Sequence, residues 1–349
     1  MNFILKEKII NARNLIITNG NIFFSKENKI FRNFSLLWEG DSGDLEFDIL
    51  EEVPIILNNN NTIILDKGGK LTKRIEFPII LRSVVGNRGV FTIERNLKEK
   101  NFKRAYFDFE GNFNKLNDLD NYKKLGKTFF YKGTIFFNEL KSNNLRAIGF
   151  NDVVNWEYDL SILPSISIFG EFELPKIEEF LGVYGEELII LLNGGRVLFL
   201  DLITGEFQDL VNLNTYFETN KIVFESLHLD QQSGVIKCLC GRYYFELDVK
   251  TLDVKIKKDF GEYVAGNWWI TRTRPYDNLL TFVGSKDGTM TFANQYGVFD
   301  TQTLEILWFD GIDLKDRESK GFFSTPPYMN NSIFAITSSE KVLYVYEKS

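Results

Sequence analysis

The chain carries one histidine, His228, two cysteines, Cys238 and Cys240, and 48 acidic residues. Hydrolytic, redox or metal chemistry would have to be assembled from these. A Ser-His-acid triad has to use His228, in ESLHLDQQ, because the chain has no other imidazole. On a strand, Phe224, Ser226 and His228 share one face and Leu227 and Leu229 the other, so the histidine is expected on a rim or at the surface. Catalytic metal sites often draw on several histidines, which this chain cannot supply. The cysteines of IKCLC stand two apart, side by side on one strand face. That spacing suits two reduced, buried thiols better than an unstrained disulfide. Asp310, Asp313 and Asp316 in DGIDLKDRE lack the spacing of an EF-hand loop. There is no Walker loop and no G-x-G-x-x-G opening a helix. The expectation is a protein without metal or cofactor, and not an enzyme. Paired carboxylates would serve glycoside hydrolysis, so a carbohydrate-active enzyme or lectin is the alternative, although no pair stands out.

One constellation recurs: DLITGEF from Asp201, DVKTLDV from Asp248 and DTQTLEI from Asp300. An acid, a hydroxyl and a glycine resemble a site, but the repetition points to shape. Asp at the start of a turn accepts from the backbone N–H two residues on, and Thr does so more weakly. Asp201, Thr204, Asp248, Thr251, Asp300 and Thr303 are therefore expected to satisfy turn donors, and Gly205 to supply a positive φ cheaply.

Two stretches break the pattern and read as partner-binding surfaces. In EGDSGDLEFDILEE, residues 39–52, seven acids stand without a Lys or Arg. Glu39, Asp41, Asp44, Glu46 and Asp48 are the candidates there; they form a solvated loop and edge strand or a dock for a cationic partner, whose encounter such charge would speed. In GNWWITRTRPYDN, Trp268, Trp269, Arg272, Arg274 and Tyr276 are residue types enriched at interface hot spots. Strand alternation puts Trp268, Arg272 and Arg274 on one face and Trp269 on the other. The competing reading packs one Trp between elements and leaves the arginines at a solvated rim.

The elements that must position these residues are strands. Thirty-three Phe among 349 residues, within 15% aromatics, favour pleated, half-buried surfaces. Each recurring turn follows an aromatic strand (RVLFLD, RYYFELD, QYGVFD) and precedes another strand-like run. Weaker copies lie in KIFRNFSLLWEG, TIILDKGGKLTKRIEF, RAYFDFEGNFNKL and RAIGFNDVVNWEYDL, and the last unit is KVLYVYEKS. Trp38, Trp156 and Trp308 fall at similar places in their second strands. These units give eight four-stranded blades at the spacing of propeller repeats, or seven if the two units at the N-terminal seam are one long blade. The last unit lacks an outer strand, and MNFILKEKII is an unpaired strand at the other end; supplying one from the other closes the ring and protects the sheet edge. The array fills residues 1–349 as one all-β domain.

These repeats resemble the quinoprotein-type (PQQ-like) β-propeller family, whose hairpin reads approximately lyalD-x-x-TG-x-x-x-W. VLFLDLITGEF matches through Gly205 without the Trp; GVFDTQTLEILWF has the Asp, the Thr and Trp308, with Leu304 in place of Gly. STPPYMNNSIFAITSSEKVLYVYE resembles the family's serine-proline strand. The family's redox enzymes are secreted, bind a quinone with calcium and commonly stack the quinone against a disulfide of adjacent cysteines. The family also includes an outer-membrane assembly lipoprotein. This chain has neither adjacent cysteines nor a signal sequence with a lipidation cysteine near its start. The resemblance therefore implies a stand-alone, non-enzymatic, cytoplasmic member that binds another protein.

Net charge sharpens that expectation. At −7 the chain is unsuited to nucleic acid, which needs a basic surface. Lys6 and Lys8 interrupt the first apolar run, and no 18-residue apolar span exists, so neither a signal peptide nor a membrane anchor is expected. The expected partner is another protein, with a basic toxin masked by an immunity-type protein as the narrower reading.

Overall fold

The computed structural model describes residues 1–40, 45–50, 52–57, 61–75, 79–85, 89–96, 101–108, 113–115, 125–139, 143–149, 153–168, 171–217, 224, 226–262, 264–286, 293–312 and 321–349, with backbone alone for 79–126. The middle strands show why the sheets form. In Glu187–Leu192 and Arg196–Asp201 nearly every residue is buried, on both faces. A strand covered on both faces reads as a continuous apolar run rather than an alternation, and LIILL and VLFL are such runs. Packing sheet against sheet on both sides is the geometry of a propeller.

Among the described residues there are eight four-stranded antiparallel sheets, seven of them in simple sequential order. Blade 1 runs Ala12–Thr18, Asn21–Lys26, Lys29–Arg32, Ser35–Glu39. Blade 2 is Glu46–Leu50, Val53–Leu57, Thr62–Leu65, Leu71–Ile75; blade 3 is Ile79–Val85, Gly89–Asn96, Asn101–Asp108, Phe113–Lys115. Blade 4 is Leu125–Tyr131, Thr134–Glu139, Asn144–Gly149, Val154–Asp159; blade 5 is Ile177–Tyr184, Glu187–Leu192, Arg196–Asp201, Phe207–Asn212. Blade 6 is Leu227–Asp230, Val235–Cys240, Tyr243–Asp248, Val254–Asp259; blade 7 is Trp269–Tyr276, Leu279–Ser285, Gln295–Asp300, Glu305–Gly311. Blade 8 has Tyr328–Met329, Ile333–Thr337 and Val342–Lys348, and takes its fourth strand, Phe3–Ile10, from the other end of the sequence. That strand pairs antiparallel with Val342–Lys348, from Phe3 opposite Lys348 to Ile10 opposite Val342.

The cores lie between blades. Phe23 and Ile30 meet Phe47 and Ile56 between blades 1 and 2. Ala12, Ile22 and Phe24 meet Ala335, Leu343 and Val345 between blades 1 and 8. First strands adjoin one another between blades 1 and 2, 3 and 4, 4 and 5, 5 and 6, and 8 and 1, which makes them the inner wall. Their pairing to the second strand is interrupted by bulges in blades 1, 3, 4, 5 and 7. Among the described residues, first turns and covalent third turns lie at one rim, and second turns and the links between blades at the other, because adjacent strands are antiparallel.

Among the described residues two pieces fall outside the eight sheets, the 3-10 turn Leu213–Tyr216 after blade 5 and a segment between blades 4 and 5. Between blades 4 and 5 the chain forms a 3-10 turn, Leu160–Ile162, and a small hairpin, Ile166–Ile168 with Glu171–Glu173. Repeats do not fill the whole sequence.

Candidate functional site

The aromatic-arginine stretch lies on the first strand of blade 7, and a bulge rearranges its faces. Ile270 pairs with Gly284 and Arg272 with Val283, so Thr271 is the extra residue. The skipped residue reverses the alternation. Trp269, Arg272, Arg274 and Tyr276 share the face toward blade 8, whereas Trp268 points toward blade 6. Trp268 is buried, edge-to-face on Phe282 at 5.1 Å and on Phe309 at 5.2 Å. The expected grouping of Trp268 with Arg272 and Arg274 is corrected accordingly. Arg272 donates from Nη1 to the Ser324 carbonyl. Tyr276 donates from Oη to Asn331 Oδ1 at 2.9 Å, and Thr281 from Oγ1 to the Pro327 carbonyl at 2.7 Å. The Arg274 guanidinium stacks on the Tyr328 ring, 3.5 Å from its centroid. The stretch fastens blade 7 to blade 8.

A cleft of about 630 Å³ opens beside that seam, where the first strands of blades 7, 8 and 1 run into their first turns. Among the described residues its wall includes Arg274, Tyr328, Asn19, Asn330 and Asn331 and no Asp or Glu. The blades bring together residues some 250 positions or more apart, which is why no local motif announces the cleft.

The acidic segment does not gather into one patch among the described residues. Asp41, Asp44 and Glu51 lie outside the described residues. Glu39 ends the fourth strand of blade 1 and pairs with Lys29 at 3.5 Å; Glu52 pairs with Lys67 at 3.1 Å. Glu46 and Asp48 stand on the first strand of blade 2, an edge strand but at the inner wall. Burial pushes the Asp48 carboxyl up, partly offset by the Ile49 amide donating to Oδ1 at 2.8 Å.

The three recurring turns share one bonding scheme. Asp201 Oδ1 accepts from the amides of Ile203 (2.9 Å) and Thr204 (2.7 Å). Asp248 Oδ1 accepts from Lys250 (2.9 Å) and Thr251 (3.1 Å), and Asp300 Oδ1 from Gln302 (2.7 Å) and Thr303 (3.2 Å). The hydrogen bond from the Thr204 amide leads the causes that hold the Asp201 carboxyl below the usual range. The fifth residue has a positive φ in every case: 73° at Gly205, 59° at Leu252 and 60° at Leu304.

His228 is not a rim or surface residue. It sits half-buried in the seam between blades 6 and 7, Nε2 2.8 Å from Thr273 Oγ1. Burial, with the nearby Arg274 charge adding to it, pushes its pKa down to about 4. Phe224 parts from Ser226 and His228: it packs with Leu227 against blade 5, while Ser226 Oγ accepts from the Thr273 amide at 3.0 Å. Cys238 and Cys240 are free thiols buried in the core between blades 5 and 6. Among the described residues no three or more His, Cys, Asp or Glu side chains converge to hold a metal ion.

Sequence reasoning missed the hairpin between blades 4 and 5. It presents Phe172, 83% exposed, flanked by Leu174 at 55%, with Ile162 at 68% on the preceding turn. Its base is pinned. Buried Arg196 donates from Nη1 to the Pro164 carbonyl at 2.5 Å and from Nη2 to Asn193 Oδ1 at 3.2 Å. Asn193 Nδ2 reaches the Leu174 carbonyl at 3.1 Å, and Lys176 pairs with Glu173 at 2.7 Å. Ile166 lies so close to Gly194 that a Cβ there would meet its Cδ1 at 2.3 Å. The signal was present: LSILPSISIFGEFELP is apolar and too long for a link between blades.

The chain matches no protein-family model and no curated protein. Solved structures do resemble it. The computationally designed protein Ika8 aligns over 97% of this chain and 96% of its own at 10% identity, with a TM-score of 0.62. Sqt1 of Saccharomyces cerevisiae covers 99% and 98% at 12% identity and a TM-score of 0.60. BamB from Moraxella catarrhalis covers 99% and 100% at 10% identity and a TM-score of 0.56. BamB and Sqt1 are β-propellers. At such identities the likeness concerns the fold, and the fold is an eight-bladed β-propeller.

Proposed function

We propose that this propeller is a non-catalytic cytoplasmic scaffold that binds another protein through the rim carrying the hairpin between blades 4 and 5. The observation that carries the reading is Phe172, 83% exposed on an element whose base is fastened by buried Arg196 and Asn193. A large aromatic held out on a pinned support enters a partner's pocket with little entropy left to lose. The turn scheme at Asp201, Asp248 and Asp300 supports membership of the quinoprotein-type repeat class. A net charge of −7 favours a basic partner, and the narrower proposal is an immunity-type protein masking a basic toxin.

Co-purification from the native host with wild type and Phe172→Asp tests this. Wild type should retain a specific basic protein, and the variant should bind it at least about 30-fold more weakly while melting at the same temperature. Recovery of the wild-type chain alone would sink the binding claim. Undiminished binding by Phe172→Asp would move the interface off the hairpin.

A further inference from the structure

The cleft between blades 7, 8 and 1 is built to donate. In a chain with 48 acids, its wall has none among the described residues, and it contains a guanidinium. Among the described residues Arg274 has no carboxylate partner, and its Nε is buried without an acceptor. Stacking on Tyr328 fixes the plane of the fork, so the ordering cost of a bidentate contact is already met. Asn330 spends its Oδ1 on the amides of Ser332 (2.9 Å) and Ile333 (2.8 Å), and Asn331 spends its Oδ1 on the Tyr276 hydroxyl. With both amide oxygens occupied, each side chain has its NH₂ group left to offer. Asn19, on the first turn of blade 1, adds a third carboxamide.

The Arg274 guanidinium lines the cleft with no carboxylate partner among the described residues, so a charge-matched ligand there gains a charge-assisted contact. Planar, two-oxygen geometry matches the Arg fork best. We propose that this cleft binds a carboxylate, with Arg274 as the anchor and the amides of Asn19, Asn330 and Asn331 around it. The carboxylate comes from one of two sources: the chain end of a bound polypeptide or a small organic acid. The cleft lies at the rim of the first and third turns, opposite the hairpin that carries Phe172, so the proposal stands independently of the protein-binding reading.

The test follows the Nε–H resonance of Arg274 by NMR, assigned from its loss in Arg274→Lys. The probes are N-acetyl-alanine, its amide, and succinate. A carboxylate site gives a saturable shift with N-acetyl-alanine or succinate, with a Kd on the order of 1 mM, and none with N-acetyl-alaninamide. Tighter binding of N-acetyl-alanine assigns the site to a chain end; tighter binding of succinate assigns it to a small acid. Arg274→Lys keeps the charge, loses the fork and should weaken binding about tenfold, read from the amide signals of Asn330 and Asn331. No saturation by about 50 mM, or an equal response to the amide, would overturn the proposal. The wild-type titration decides the matter even if the variant folds poorly.

Discussion

Two seams use a tryptophan at the same place in the repeat for different ends. Between blades 4 and 5, Trp156 lies over the turn at Gly205 and donates from Nε1 to the Leu202 carbonyl at 3.1 Å. Between blades 7 and 8, Trp308 packs on Phe3 at 5.0 Å, Phe334 at 4.9 Å and Tyr346 at 5.1 Å. Blade 8 has no covalent turn between its third and fourth strands; Val342–Lys348 and Phe3–Ile10 meet there as separate segments. The first tryptophan caps a covalent turn and the second covers a join held by non-covalent contacts alone. Around Trp308 the join is reinforced: Tyr296 and Tyr346 share a hydroxyl–hydroxyl bond, and Tyr346 donates to Asp310 Oδ2 at 2.7 Å. The same side chain closes a blade whether or not the backbone is continuous beneath it.

The strongest way to break this comparison is to remove the join. A chain lacking residues 1–11 loses the fourth strand of blade 8 and buried Phe3, and leaves Val342–Lys348 as a bare edge. The expected loss is more than about 5 kcal/mol, comparable to the whole stability of many domains. Supplying the strand as a synthetic peptide should restore part of the denaturation midpoint. A truncated chain as stable as wild type would show that Trp308 does not depend on the strand it covers.

A smaller effect separates the turns. At Gly205, with φ at 73°, a Cβ would meet the Trp156 ring at 2.4 Å. Gly205→Ala adds a positive-φ penalty to an overpacked contact and should cost about 2–3 kcal/mol. Leu304 holds nearly the same φ, 60°, and packs its own side chain, partly buried, against the core between blades 6 and 7. Leu304→Gly relieves about 1 kcal/mol of backbone strain and loses a comparable amount of partly buried apolar contact, so its denaturant midpoint should scarcely move. Equal effects at the two positions would mean that φ alone, and not Trp156, demands the glycine.

Legibility in the sequence followed the same division. The third and fourth strands and the turns joining them were readable, because aromatic runs and Asp-x-x-Thr turns are local signals. The first strands were not. They lie at the inner wall, and their bulges break the period of two on which face assignments rest; Thr271 alone exchanges Trp268 for Trp269 beside Arg272 and Arg274. Leu252 and Leu304 adopt positive φ where a leucine gives no warning. The hairpin carrying Phe172 was hidden by reading the array as continuous. The cleft at Arg274 draws on three blades, so only folding assembles it.

The seam between blades 6 and 7 supplies a third case, polar instead of aromatic, and the smallest expected effect. His228 is held neutral there, its pKa lowered to about 4 chiefly by burial, against about 6.5 when unfolded. Between those values the unfolded chain binds the proton more readily than the folded one, so stability rises with pH from about 4 to 6.5 and is flat in this term above. Partial exposure reduces the effect to about 1–2 kcal/mol. Denaturant midpoints of wild type and His228→Asn, compared between pH 4.5 and 7, isolate it from the carboxylates that titrate in both. Wild type should lose more stability than the variant on acidification, the gap opening below about pH 6.5. Parallel curves would show that the imidazole is solvated when folded, and that this seam is closed by Trp268 and Phe282 without help from the His228–Thr273 contact.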